Sequence, residues 1–259
     1  MRAAFSTLLA TAAALAAASP AFALGDDPLP RFEDAVCPGV SGLKVETAEL
    51  IVGRIRQNAQ AIGRTLAPPK TCAPNLIVSF VDNGQAVIES IYRNYGYGFA
   101  DMSGPERDQV LHQPGPARVF SQVFTRNRDG IPVSRRESLV NPPRTTEWMA
   151  HSKIYRGTQE NIVHVLVLFD SGAVRGLSVD QIADYATVRA FVHNPPSAAV
   201  TRGDSILDLF NASAAARPAG LTTYDHALLD SLYEGMPNID GTARAATIAK
   251  ATGRGRGTE

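Results

Sequence analysis

Ala48, Ile51, Val52, Ile55, Ala59, Ile62 and Leu66 recur mostly at steps of three and four, which paints one apolar face along a single long helix. Pro68 and Pro69 forbid its continuation, since proline has no N–H to give a helical ladder. After Cys72 the run Asn75 to Val81 is short, β-branched and almost continuously apolar, as a buried central strand requires. Asp82-Asn83-Gly84 then turns the chain into a second helix, about Gln85 to Asn94, and a short polar helix follows from Pro105 to Leu111. Ala117 to Phe124 alternates, with Val119, Ser121 and Val123 opposite Arg118, Phe120, Gln122 and Phe124, which is strand spacing. His151 to Arg156 and Asn161 to Phe169 read as two adjacent strands joined through Gly157-Thr158-Gln159-Glu160. The second is apolar on both faces, Ile162, Leu166 and Leu168 against Val163, Val165, Val167 and Phe169, and belongs deep in a sheet.

The C-terminal third opens on a complete helix start. Ser178 can accept from the Gln181 N–H while Gln181 reaches back, and Leu177 can staple against Ile182. Ala183, Ala186 and Ala190 extend the apolar face until Pro195 and Pro196. Ser205 suits the cap of a short helix, Ile206 to Phe210, and Thr222 that of a helix through Tyr233, whose Leu228, Leu229 and Leu232 face inward. These elements define an α+β fold: a mixed sheet of about four to five strands packed against helices, with a C-terminal helical part. We expect one domain over residues 24–240 and a flexible tail over 241–259 that begins as an alanine-rich helix candidate after Thr242 and ends in Gly253-Arg-Gly-Arg-Gly257.

The N-terminus changes the setting. Arg2, an apolar run from Leu8 to Ala18 and the small residues around Phe22 have the layout of a signal peptide over residues 1–23, with cleavage before Leu24. The expected location is therefore periplasmic or secreted. The 25 basic and 25 acidic residues cancel, so no global field attracts nucleic acid or an anionic membrane. The longest apolar run beyond the leader, Val165 to Phe169, is far short of the roughly 18 residues of a membrane span. Cys37 and Cys72 are the two cysteines, and in an oxidising compartment we expect them bridged.

The order of elements, long helix, buried strand, helix, further strands and then a helix under the sheet, resembles the zincin-like metallopeptidase scaffold. The segments Asp180 to Thr187, Ser205 to Phe210 and Leu221 to Tyr233 are similar to those of an exported bacterial family of unknown function in which the peptidase helix has lost its zinc ligands. The resemblance implies an inert peptidase helix. A zincin needs two His at i and i+4 with a Glu between them. Here Gln181 and Tyr185 hold that spacing, with Ile182 in the place of the base, and none of His112, His151, His164, His193 and His226 forms such a pair. We expect no metal and no cofactor. No Gly-x-Ser-x-Gly, Ser-x-x-Lys or phosphate-binding glycine loop is present either.

What remains is a short set of candidates. Asp180 and Asp184 stand at i, i+4 and, with Tyr185, could serve an envelope hydrolase working without His ligands; their structural readings are a helix N-terminus for Asp180 and an ion pair with Arg189 or solvent for Asp184. Arg126, Arg128, Arg135, Arg136 and Arg144 form a basic stretch able to meet anionic lipid or an acidic envelope partner, diluted by Asp129, Glu137 and Glu147. His151 and His164, as diagonal neighbours, are too few for zinc, and His164 reads as a hydrogen-bonded core residue. Tyr92, Tyr95, Tyr97 and Phe99, interleaved with Gly96 and Gly98, could stack a sugar or base, packing at a helix exit being the simpler account. The expectation is an exported protein that binds or supports rather than catalyses.

Overall fold

Four strands form one mixed sheet: β1 (Pro38–Ser41), β2 (Leu76–Val81), β3 (Ala117–Asn127) and β4 (Thr158–Asp170), in the order β1-β2-β4-β3. The computed structural model describes residues 27–69, 71–100, 102–133, 152–193 and 204–254. β1, β2 and β4 run parallel and β3 is antiparallel to β4, with Val78 opposite Val167 and Val167 opposite Val119. The fold is α+β, as the periodicities predict.

The amphipathic pattern that begins at Ala48 becomes α1 (Val45–Ala61), the crossover between β1 and β2, and it buries Ile51, Ile55 and Ala59 on the sheet. The helix stops short of the expected Leu66, because Gly63 turns the chain at φ 71° and Leu66 bridges Val36 instead. The disulfide Cys37–Cys72 spans this crossover with its Cα atoms 6.2 Å apart, tying the start of β1 to the lead into β2. α4, here counted after α2 (Gly84–Asn94) and α3 (Gly104–Leu111), covers Val179–Phe191 and lies on the same side as α1. Its capping box forms as read, Ser178 Oγ accepting from Gln181 N and Gln181 Oε1 from Ser178 N. Every residue from Ile182 to Val188 is buried, so this helix is enclosed on nearly all sides.

α2, α3 and the short turn of helix over Gly96–Phe99 make a smaller layer on the opposite face, where Ile88 and Phe99 pack on Leu168 with Leu166 and Phe120 beside them. That layer stops at the Leu166 end of β4. Ile77 of β2, 38% exposed, marks sheet left uncovered.

Three expectations are corrected. Residues 152–157 do not form the strand beside β4; they make only an isolated bridge, Tyr155 to Ile239, and β4 begins already at Thr158 and pairs with β3 and β2. Ile162 does not share a face with Leu166 and Leu168. The register of Gln122 opposite His164 but Val123 opposite Ile162 leaves Val163 as an extra residue, and this bulge returns Ile162 to the side of Val165, Val167 and Phe169. Residues 241–254 are not a loose tail but a helix, α6 (Gly241–Arg254), packed on α5 (Thr223–Tyr233) through the buried Ala245 and Ile248. Its anchor is Arg244, whose Nη1 donates to Ser231 O (3.0 Å) and Glu234 O (2.6 Å) and whose Nη2 donates to Met236 O (2.8 Å). These carbonyls end α5, and a guanidinium there answers both the orphan acceptors and the negative end of the helix dipole. Residues 1–26 lie outside the described residues, and so does the leader reading.

Candidate functional site

α4 carries the candidates Asp180, Asp184 and Tyr185. Asp184 is 0% exposed and every lone-pair position of its carboxylate is taken. Oδ1 accepts from Arg54 Nε (2.8 Å) and Asn58 Nδ2 (2.7 Å), and Oδ2 from Arg54 Nη2 (2.8 Å) and the Leu221 N–H (2.9 Å). Asn58 also donates to Thr187 Oγ1 at 3.0 Å. Arg54 and Asn58 stand at i, i+4 on α1, and Asp184 and Thr187 at i, i+3 on α4, so the four side chains form a clasp between neighbouring helices. Burial alone would raise the Asp184 pKa, but the hydrogen bonds from Arg54, Asn58 and Leu221 and the Arg54 charge outweigh it and hold the carboxyl below its ordinary range.

Tyr185 belongs to the core. Its ring lies 5.7 Å from that of Phe169 and 5.0 Å from that of Phe210, and burial raises its pKa against a smaller opposing pull from Arg189. Gln181 spends its amide on Ser178 and on Pro218 O (2.7 Å). Asp180 alone of the set is exposed. The structure therefore does not bring the three candidates to one cleft, and Asp184 has no acceptor free for a substrate proton or a cation. The Arg54 partnership, in place of Arg189 or solvent, is what the sequence did not disclose. The signal was a polar pair, Arg54 and Asn58, set beside the apolar stripe of α1.

Among the basic residues, Arg126 is committed to Asp34 by two parallel bonds of 2.9 and 2.7 Å, and Arg128 lies 3.7 Å from Asp129. Arg135, Arg136, Arg144 and His151 lie outside the described residues. Among the described residues no helix is long and apolar enough to cross a membrane, and no three His, Cys, Asp or Glu side chains are grouped to hold a metal ion.

A different place has the form of a site. Where the α2–α3 layer ends, a pocket of about 590 Å³ opens over β3 and β4, within the usual 300–1,000 Å³ of small-molecule sites. Ser121, Gln122, Val123 and Phe124 of β3 line it together with Val163 and His164 of β4. Tyr97 and Gly98 come from the aromatic-glycine loop, Met102, Glu106 and Val110 from α3 and its approach, and His193 from the end of α4. Asp34, Asn75 and Arg126 complete the wall. His164, expected in the core, is exposed here instead, because the bulge at Val163 falls where the second layer no longer covers the sheet. Among the described residues the side chains of Ser121, Gln122, His164 and His193 have no hydrogen-bond partner. Burial lowers the His193 pKa, opposed by the Glu106 charge, so this imidazole is neutral at pH 7.

Comparison with protein-family models, with curated proteins and with solved structures finds no match. The functional reading rests on the chain's own geometry.

Proposed function

We propose that this chain is an exported, non-catalytic binding protein of the periplasm or cell exterior, built on a degenerate zincin-like scaffold, and that its ligand enters the pocket over β3 and β4. One observation carries the reading: four uncommitted polar side chains line the pocket, while Asp184 and Tyr185 of α4, which a hydrolase would need beside Asp180, are consumed by hydrogen bonds and packing. The disulfide supports export, since such bridges persist in oxidising compartments. The run of α1, β2, α2, further strands and α4 against the sheet supports the scaffold assignment, and the absence of His on α4 supports the loss of peptidase chemistry.

Calorimetric titration of the purified protein with chitotriose, adenosine, laurate, inorganic phosphate and a neutral tripeptide tests the reading. At least one probe binds without being consumed, and Gln122→Ala loses that binding. Silence from all five, or turnover of a probe that disappears in Asp184→Asn while the protein stays folded, would contradict it.

A further inference from the structure

The pocket's charged groups are already engaged. Asp34 is paired in two bonds with Arg126, Glu106 Oε2 accepts the Ser103 N–H as part of the α3 capping box, and His193 is neutral at pH 7. A phosphate or a carboxylate entering here would lose water and gain no free cation, since Arg126 is held by Asp34. Anionic ligands are disfavoured on that ground.

The uncommitted groups are of a different sort. Gln122 offers an amide and His164 and His193 imidazole nitrogens, and Ser121, on the other face of β3 from Gln122, a hydroxyl, so both donors and acceptors line the pocket. Beside them stand two aromatic faces, Tyr97 at 78% exposure and Phe124 at 44%. A fatty chain would leave the polar groups unpaired, and a planar base would use the rings but few of the donors. A pyranose presents hydroxyls around its rim and an apolar C–H face beneath, which answers both halves of this lining.

The loop that carries Tyr97 is built as a rigid mount. Phe99 is fully buried and stacks on Phe120 with centroids 4.4 Å apart and planes 23° from parallel, while Tyr92 meets Phe99 edge-on at 5.2 Å. Phe99 thus pins the turn, and Tyr97, two residues earlier, is left at the pocket wall. Gly98 lets the turn lie close to the sheet: a Cβ there would sit 3.0 Å from Gln122 Nε2 and 3.5 Å from Phe120. Packing accounts for Tyr92 and Phe99. Tyr97 meets Tyr95 edge-on at 6.3 Å and otherwise leaves its ring to the pocket and solvent, at 78% exposure.

Resting on the pocket reading above, we infer that the ligand is a short neutral oligosaccharide, with Tyr97 as the platform for one sugar ring and Gln122, Ser121, His164 and His193 as partners for its hydroxyls. The volume suits a few rings rather than a long chain end to end.

Calorimetry of the whole protein with chitotriose, cellotriose and maltotriose, beside adenosine and laurate, decides the matter. At least one trisaccharide binds, Tyr97→Ala weakens it on the order of tenfold, the loss of one aromatic contact, and Tyr97→Trp retains it. Because Tyr97 is mostly exposed, these variants fold. Binding of adenosine or laurate, lost in Gln122→Ala, with all trisaccharides silent overturns the oligosaccharide assignment and leaves the pocket as the binding site. Silence from every probe overturns both. Trisaccharide binding that Tyr97→Ala leaves unchanged overturns the platform.

Discussion

Replacing Asp184 separates a helix clasp from a catalytic carboxylate. In Asp184→Ala four hydrogen bonds disappear at once, and the groups that lose them differ in their access to water. Arg54 is about a third exposed and can be rehydrated, so little of its charge is stranded. The Asn58 amide is buried and the Leu221 N–H partly so, and an unsatisfied donor in such a place costs about 1–3 kcal/mol each. With the cavity left by the side chain, the loss is about 3–5 kcal/mol, a large part of the ~5–15 kcal/mol that holds a domain together. Asp184→Asn keeps the shape but sets an NH₂ against donors, and falls in the same direction by about 2–3 kcal/mol. Urea unfolding followed by far-ultraviolet circular dichroism measures both, and a cycle with Arg54→Ala isolates the coupling. The same carboxyl has a pH signature. Because its pKa is held down in the folded state, its share of stability is full above the unfolded value of about 4 and is lost as pH falls through the folded pKa. The wild-type midpoint therefore drops relative to Asp184→Ala only in acid. A loss below about 1 kcal/mol for the alanine variant, with a flat difference through that pH range, would refute the clasp.

Gly220→Ala should damage the same clasp from outside, since its Cβ would lie 2.7 Å from Asp184 Oδ2; a lowered urea midpoint comparable to that of Asp184→Asn is expected, and an unchanged one counts against the packing described. Reducing Cys37–Cys72, or Cys72→Ser, removes a cross-link over 35 residues and should lower stability by about 3–4 kcal/mol in equilibrium unfolding. Gly98→Ala presses on the movable end of Gln122 rather than on backbone, so stability should change by less than about 1 kcal/mol while ligand affinity falls several-fold in calorimetry.

Much of the fold was legible because it is written locally. The apolar face of α1 through Ala59, the Ser178 and Gln181 box of α4, and the Thr222 cap of α5 need only neighbouring residues to be read, and each stands where its pattern put it. The end of α1 does not: the helix stops at Ala61, with Gly63 in the left-handed region, well before Pro68. Strand partnership is not local. β4 is separated from β3 by a long connection, and the simpler hairpin with residues 151–156 looked adequate until the pairing of Gln122 with His164 was seen. One inserted residue, Val163, was enough to move Ile162 to the other face, which alternation in the sequence cannot register. The helix α6 was legible only as an alanine-rich candidate within a flexible tail, because its hold comes from Arg244 reaching the end of another helix. The site was hidden for a similar reason. Tyr97 was singled out as part of an aromatic loop, but Gln122 and His193 signal nothing until a sheet, a loop and the end of α4 meet around one cavity.

The claim on which the rest depends is that the working surface is the pocket and not α4. Nuclear magnetic resonance of the labelled protein, titrated with whichever trisaccharide or other probe binds, locates the contact residue by residue. The account predicts shifts concentrated at Tyr97, Gln122, His164 and His193, with Asp180, Gln181 and Tyr185 unmoved. Shifts clustered at residues 180–185 with a silent pocket would contradict it.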